Sequence, residues 1–160
     1  MSEIYLVFVV FLFVLAVFDL MVGVSNDAVN FLNSAIGAKV AKFRTIIIVA
    51  AVGVFMGATM SNGMMEVARN GVFHPAMFSL KELMFIFLAV IISDVILLDI
   101  FNNLGLPTST TVSLVFELLG GTTAFVLLKL ANDTTGLTVG DLMNTEKALG
   151  MIMAIFVSVA

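Results

Sequence analysis

Long apolar stretches alternate with short polar ones along this chain of 160 residues. A run of about 20 apolar residues is typical of a helix that crosses a membrane. The pattern predicts apolar helices at residues 4–22, 45–60, 83–101 and 112–130, and a moderately apolar helix at residues 25–40. We therefore expect an all-α polytopic membrane protein.

Polar residues interrupt this pattern twice, at residues 23–30 and at residues 102–111. Gly23 permits a bend in the first interruption, and Pro107 removes a backbone donor in the second. Broken helices at membrane depth occur where they line a cavity or bind a ligand, and a pair of them points to a transport site. We expect a single membrane domain over residues 1–160 with two interrupted, re-entrant half-helix segments.

The composition supports the membrane assignment. Hydrophobic residues make up 61% of the chain and charged residues 11%, whereas a soluble domain has about 25% charged residues. The mean hydropathy is +1.20. The net charge is −4 without a basic, aromatic-rich patch, so nucleic acid is not an expected partner. The sequence has no cysteine, no nucleophile–base pair and no phosphate-binding glycine loop, and it predicts neither an enzyme nor a cofactor.

Few charges indicate the topology. Lys39, Lys42 and Arg44 form a basic cluster that the positive-inside rule assigns to the cytoplasm, so we expect the N-terminus outside a plasma or inner membrane. The last apolar run, residues 148–160, is shorter than the roughly 20 residues that a spanning helix needs. We therefore expect the chain to be part of a longer protein.

The first interruption carries polar residues that suit ion binding. Ser25, Asn26 and Asp27 are good N-cap residues, placed where a helix is expected to restart. Asn26, Asn30 and Asn33 share one helical face because they are four and three positions apart. Their oxygens and amides, together with the Asp27 carboxylate, suit a sodium ion or a hydrogen-bonded oxyanion. Alternatively, the asparagines join two helices by hydrogen bonds.

The second interruption suits an anion. Four hydroxyl residues follow Pro107, namely Thr108, Ser109, Thr110 and Thr111. A helix that begins here directs its free N–H groups and the positive end of its dipole toward these hydroxyls. The alternative is a capped loop that binds nothing.

Acidic residues in apolar sequence are functional candidates because burying a charge is costly. Glu117 lies four positions after Ser113, so it faces the hydroxyl patch and is expected to bind a coupling cation or carry a proton. A basic partner elsewhere is the alternative. Asp19 and Asp99 precede the two interruptions and are expected near the cavity, whereas Asp94 is either a relay or a structural partner.

Two other patterns favour different functions. Met56, Met60 and Met64 form a thioether stripe of the kind that conducts soft Cu(I). Gly53, Gly57 and Ser61 have the spacing of close helix packing, which a membrane scaffold without transport activity also uses.

The two polar motifs resemble signatures of the inorganic phosphate transporter (PiT) family. Asn26, Asp27 and Asn30 match its Gly-Ala-Asn-Asp-Val-Ala-Asn signature. The second signature, Pro-Val-Ser-Thr-Thr-His, is matched by Pro107, Ser109, Thr110 and Thr111. The resemblance extends roughly to Leu130 and implies the N-terminal one of two inverted halves.

The resemblance also implies a function. It predicts a symporter that moves inorganic phosphate with Na⁺ or H⁺, in contact with the lipid bilayer and with the remaining half of the transporter; a homo-oligomer stays open. Phosphate would bind Asn26, Asn30, Ser109, Thr110 and Thr111. The coupling ion would bind Asp27, Glu117 and Asn26, with sodium at Asp27 as the one metal ion considered.

This sequence departs from the family pattern in places. Val112 replaces a frequent histidine, and Glu117 replaces a small residue. These departures leave sodium and proton coupling both open. Sulfate or another oxyanion is the alternative substrate, since the family includes sulfate carriers.

Overall fold

The computed structural model describes residues 2–61, 66, 71–132 and 136–159. In chain order, its α-helices are α1 (Ser2–Gly37), α2 (Phe43–Met60), α3 (Leu80–Leu104), α4 (Thr110–Ala131), α5 (Val139–Leu142) and α6 (Thr145–Val159). A short 3₁₀ helix, Pro75–Met77, precedes α3. The helices α1 to α4 are long and apolar enough to cross a membrane. The prediction of an all-α polytopic membrane protein is therefore confirmed.

The first predicted interruption is wrong, because α1 is one continuous helix of 36 residues. Its length is about 54 Å at about 1.5 Å per residue, well beyond the roughly 30 Å of a hydrocarbon core. Ser25 does not cap a restarting helix, since its hydroxyl donates a hydrogen bond to the Met21 carbonyl oxygen at 2.7 Å inside α1. The chain therefore has no second helix start at Asn26 or Asp27.

Gly23 does not break α1. A Cβ atom at this position would lie 3.8 Å from Leu98 Cδ1 and 3.9 Å from Thr110 Cγ2, which is ordinary contact distance. A single glycine inside a helix costs only about 0.5–1 kcal/mol relative to alanine, and α1 contains no proline. The helix therefore continues through Gly23, and the space around this residue would also admit a methyl group.

The second predicted interruption is confirmed between α3 and α4. Gly105 ends α3 in the left-handed conformation, with φ 67°, and Leu106 N–H donates to the Phe101 carbonyl oxygen at 2.9 Å. Residues 106–109 are not helical, and α4 begins at Thr110. Because α3 and α4 are each of spanning length, they are not the half-helices that the sequence pattern indicated.

The helices α1 and α3 lie side by side and run in the same direction. Phe8 packs edge-on against Phe85 near their beginnings, and Asn26 bonds to Asn102, 76 positions later, near the end of α3. Two helices that keep a nearly constant offset along their contact are parallel. The chain must therefore cross back between them, and α2 is the described helix that is long enough to do so.

The main apolar core lies at the end of the α3–α4 hairpin opposite Gly105. It joins the two helices to the connectors through the buried residues Val72, Phe73, Phe78, Ile86, Val90, Leu118, Val126, Leu142 and Met143. An isolated antiparallel bridge pairs Phe73 with Met143. At the same end, Lys129 Nζ lies 3.0 Å from a Glu82 carboxylate oxygen. Apolar side chains fill this end of the hairpin. A polar site is therefore to be sought at the other end, near Gly105.

The small-residue stripe and the methionine stripe of α2 contact little. Added Cβ atoms at Gly53 and Gly57 would have no atom within 4 Å among the described residues, so the predicted close packing does not occur within this part of the chain. Met56 and Met60 are exposed. Met64, the third member of the proposed Cu(I) stripe, lies outside the described residues.

Candidate functional site

Asn26 is the centre of a hydrogen-bond network that joins the two sequence motifs. Its side chain is only 2% exposed. Its Nδ2 donates to Asn102 Oδ1 at 2.8 Å, and its Oδ1 accepts a bond from Thr108 N–H at 3.3 Å. Asn102 Nδ2 in turn donates to the Val22 carbonyl oxygen at 3.3 Å. The interior of α1 is thereby fixed to the residues on both sides of Gly105.

Asn30 and Asp27 continue this contact toward α4. Asn30 Nδ2 donates to the Thr108 carbonyl oxygen at 3.1 Å. The Thr110 hydroxyl lies 3.2 Å and 3.1 Å from the two Asp27 carboxylate oxygens, to which it donates. Asn33, on the same face of α1, is exposed. The structure therefore brings Asn26, Asp27, Asn30 and Thr110 together, as both motifs require if they form one site.

The beginning of α4 supplies free donors at this site. Ser109 is the N-cap, and its hydroxyl accepts a bond from Val112 N–H at 3.4 Å. The first N–H groups of a helix have no partner inside it and carry the positive end of the dipole. Ser109 and Thr111 are exposed beside these groups. An anion can thus reach N–H and hydroxyl donors from outside the bundle, although the capped-loop alternative also contains the Ser109 bond.

A small cavity lies behind the network. It is lined by Asn26, Val29, Phe101, Asn102, Gly105, Leu106 and Pro107 and measures about 40 Å³. One water needs about 10–15 Å³ of such space, so the cavity admits water.

Glu117 does not reach the Asp27 network. Ser113 Oγ donates to Glu117 Oε1 at 3.1 Å, which confirms that these two residues share a face of α4. The neighbours of Glu117 are the carboxyl groups of Asp94 and Asp19, on α3 and α1. Asp99 is exposed and accepts a bond from Asn103 Nδ2 at 3.1 Å. The acidic residues thus divide between two places, one at Asp27 and one around Asp94.

The site is poor in positive charge. Lys129 is paired with Glu82 at the far end of the hairpin, away from this site. Lys39, Lys42 and Arg44 are exposed, in and beside the connection from α1 to α2. A bound anion at α4 would therefore meet backbone dipoles, hydroxyls and amides, with the Asp27 carboxylate nearby.

Asn102 is a residue of this network to which the sequence pattern assigned no role. It opens the second interruption, but its side chain is bonded to α1 and not to the loop. Asn26 and Asn102 are both asparagines, one within each interruption, and this is the sequence signal that indicates their pairing. Local helix rules contain no information on a contact between residues 76 positions apart.

The fold and the site together define a polytopic, all-helical membrane protein. Its polar site lies where α1 and α3 contact the beginning of α4. Comparison with known families identifies this class further: the model of the phosphate transporter family matches residues 23–160, a range that contains both motifs. Because the match covers most of the chain, the chain belongs to the phosphate transporter family. Neither the curated proteins nor the solved structures give a match.

Proposed function

We propose that the protein is a symporter that moves inorganic phosphate across the cell membrane together with Na⁺ or H⁺. Membership of the phosphate transporter family supports phosphate as the substrate. The proposal of cation coupling is supported by the hydrogen bond from the Thr110 hydroxyl to the Asp27 carboxylate. Because of this bond, an acidic group lies beside the proposed anion site.

The anion is proposed to bind at the start of α4. Phosphate accepts hydrogen bonds from the free N–H groups of this helix and from the hydroxyls of Ser109 and Thr111. The Thr110 hydroxyl, which donates to Asp27 here, is proposed to turn to phosphate when the cation occupies the Asp27 oxygens. Asn26 and Asn30 hold Thr108 from either side, through its N–H and its carbonyl oxygen. Their contribution is to fix the backbone that leads into the helix start. In this arrangement the main role of the two asparagines is to position the backbone at the start of α4, and direct contact with the anion is secondary.

The cation is proposed to bind beside Asp27. An anion and a carboxylate at close range repel each other, and few countercharges are nearby to offset this repulsion. A cation on Asp27 removes the repulsion and adds an attraction, so phosphate and cation bind better together than separately. This mutual stabilisation is the physical basis of symport. Sodium suits the carboxylate and amide oxygens of Asp27 and Asn26, and a proton on Asp27 gives the same change in charge.

We also propose the setting of this site. The positive-inside rule applied to Lys39, Lys42 and Arg44 orients the N-terminus outside, with α1 crossing once before them. The chain is proposed to act as the N-terminal half of a transporter with two inverted halves. The second half would cover the exposed side of the α4 start.

Uptake of radiolabelled phosphate tests the proposal. The chain is reconstituted in proteoliposomes together with the proposed second half and given a sodium gradient, a proton gradient or neither, with sulfate as competitor. Gradient-driven accumulation that excess sulfate does not reduce is expected. Strong competition by sulfate would favour the broader oxyanion permease, and no phosphate uptake under either gradient would contradict the proposal. Cu(I) flux that Met60→Leu abolishes would instead support the soft-metal channel.

A substitution at Asp27 tests the cation site. Asp27→Asn keeps an acceptor for the Thr110 hydroxyl but removes the negative charge, so uptake should lose its dependence on the cation gradient. Asp99→Asn is the matched control, since Asp99 is exposed and bonded only locally to Asn103. Unchanged ion dependence in Asp27→Asn would remove Asp27 from the cation site.

A further inference from the structure

Three carboxyl groups from three helices meet inside the bundle. Asp19 belongs to α1, Asp94 to α3 and Glu117 to α4. The Asp94 carboxyl lies close to the carboxyl groups of Asp19 and Glu117, and Ser113 lies beside it. We call these carboxyl groups the acid triad. They are separate from Asp27, which follows Asp19 by eight positions on α1, or about 12 Å along the helix.

Asp94 of the acid triad is buried, Asp19 and Glu117 are half-buried, and the triad has few hydrogen-bond donors. Asp94 is only 5% exposed. One buried oxygen of each group, Asp94 Oδ1, Asp19 Oδ1 and Glu117 Oε2, has no hydrogen-bond partner among the described residues. Ser113, itself buried, donates its hydroxyl to Glu117 at 3.1 Å. One hydroxyl is far fewer donors than three ionised carboxylates require, since an ionised carboxylate can only accept.

Among the residues that the structure describes, no basic side chain compensates this charge. The charged groups that face the triad from the three helices packed around it are the triad members themselves. Asp27 and Asp99, the next acids along α1 and α3, bond to Thr110 and Asn103. Lys129 of α4 is paired with Glu82 at the far end of the hairpin. If all three carboxyl groups were ionised, their negative charges would repel each other strongly in this apolar bundle.

A proton resolves both problems at once. Two carboxyl groups approach within hydrogen-bonding reach when one of them is protonated, because the O–H then donates to its neighbour. Such a proton supplies the missing donor and removes a charge. A metal ion would need several oxygens arranged around it, and among the described residues no acidic group has the arrangement of a metal centre. The triad therefore suits a proton better than sodium.

We propose that Asp19, Asp94 and Glu117 form a proton-binding site that is loaded and emptied during transport, so that a proton is a coupling ion of this protein. The inference rests on the proposed phosphate symport and specifies its cation. The proton enters on one side of the membrane, is shared between the carboxyl groups, and leaves on the other side, with no other bond formed or broken. Helix α4 connects the two places, since Ser113 lies one turn from Thr110.

The test separates proton coupling from phosphate binding. In proteoliposomes without sodium, one measurement is phosphate accumulation driven by a proton gradient. The other is exchange of internal for external phosphate at equal pH and equal concentrations. Exchange needs a folded carrier that binds phosphate, but it does not need net release of the coupling proton. Asp94→Asn and Glu117→Gln are compared with Asp99→Asn, a substitution of the same kind on an exposed position of α3.

The wild type and Asp99→Asn are expected to show both activities. Asp94→Asn and Glu117→Gln are expected to keep exchange and to lose gradient-driven accumulation by about tenfold or more, a typical size for coupling between sites. Glu117→Gln keeps an acceptor for the Ser113 hydroxyl and is the second variant if Asp94→Asn does not fold. Accumulation that persists in a variant active in exchange would overturn the proposal.

The wild type decides the remaining outcomes. Accumulation that requires sodium and ignores the proton gradient would overturn the proton site and leave phosphate symport intact. The absence of both accumulation and exchange under any gradient would instead contradict phosphate transport itself. The two failures are therefore distinguishable.

Discussion

Replacing Asn26 with alanine tests the network that joins the two motifs. The side chain is 2% exposed and makes two hydrogen bonds, one to Asn102 at 2.8 Å and one from Thr108 at 3.3 Å. A hydrogen bond contributes about 0.5–1.5 kcal/mol net, so the loss of two is expected to cost about 1–3 kcal/mol. Values for membrane helices average about 0.6 kcal/mol per bond, which favours the lower part of this range.

Asn33→Ala is the matched control for Asn26→Ala. Both substitutions lie in α1 and gain the same helix propensity, but Asn33 is exposed. The free energy of unfolding is measured for each variant by denaturant titration in detergent micelles. The difference between the two variants reports the network itself, because the propensity gain cancels.

A double-mutant cycle with Asn102→Ala then isolates the bond between the two side chains. If the bond stabilises the protein, the double variant is less destabilised than the sum of the single variants by about 0.6–1.7 kcal/mol. Additivity within about 0.3–0.5 kcal/mol, or equal stability of Asn26→Ala and Asn33→Ala, would refute the reasoning.

Three further predictions concern α4 and the ends of helices. Thr110→Val should raise the apparent KM for phosphate uptake about two- to tenfold, because it removes one hydrogen bond. An unaltered KM would exclude Thr110 from the phosphate site. Gly105→Ala should lower the free energy of unfolding by about 1–2 kcal/mol because φ is 67°, whereas Gly53→Ala, in open helical space, should not lower it. Hydrogen bonds from the Thr138 hydroxyl and N–H hold the pKa of Asp141 below its ordinary value. This contribution to stability is present above the unfolded pKa of about 3.9 and is lost as pH falls through the lower folded pKa. Unfolding curves of Asp141→Asn and wild type should therefore differ at neutral pH and converge in acid.

The helices and the second break could be predicted from the sequence because their causes are local. Apolar runs of spanning length give α1 to α4, and Gly105 and Pro107 stop the chain from continuing as one helix between α3 and α4. The predicted break at Gly23 used the same local rules and is wrong. There the polar residues serve partners on another helix, and a helix interior without proline tolerates them.

The acid triad was not predictable as a unit, although each of its members stands out as an acid in apolar sequence. Asp19 precedes Asn26 by about two turns, and Asp94 precedes Asn102 by about two turns. Because Asn26 bonds to Asn102 and the helices are parallel, the similar spacings of seven and eight positions place the acids near each other. The spacing is visible in the sequence, but the parallel register that gives it meaning comes from tertiary packing.

The 76 positions between Asn26 and Asn102 also determine when the site can form during synthesis. A ribosome that adds about 5–20 residues per second takes about 4–15 s to make the intervening chain. During that interval α1 is already available for insertion, with its polar face unpaired. Counted from Ile4, where the span begins, Asn26 lies about 33 Å along the helix, close to the roughly 30 Å thickness of the hydrocarbon core. The Asn26 side chain can therefore stay hydrated in the interfacial layer until α3 is inserted. The intermediate with α1 alone in the membrane then avoids the free-energy cost of an unpaired amide in the hydrocarbon core.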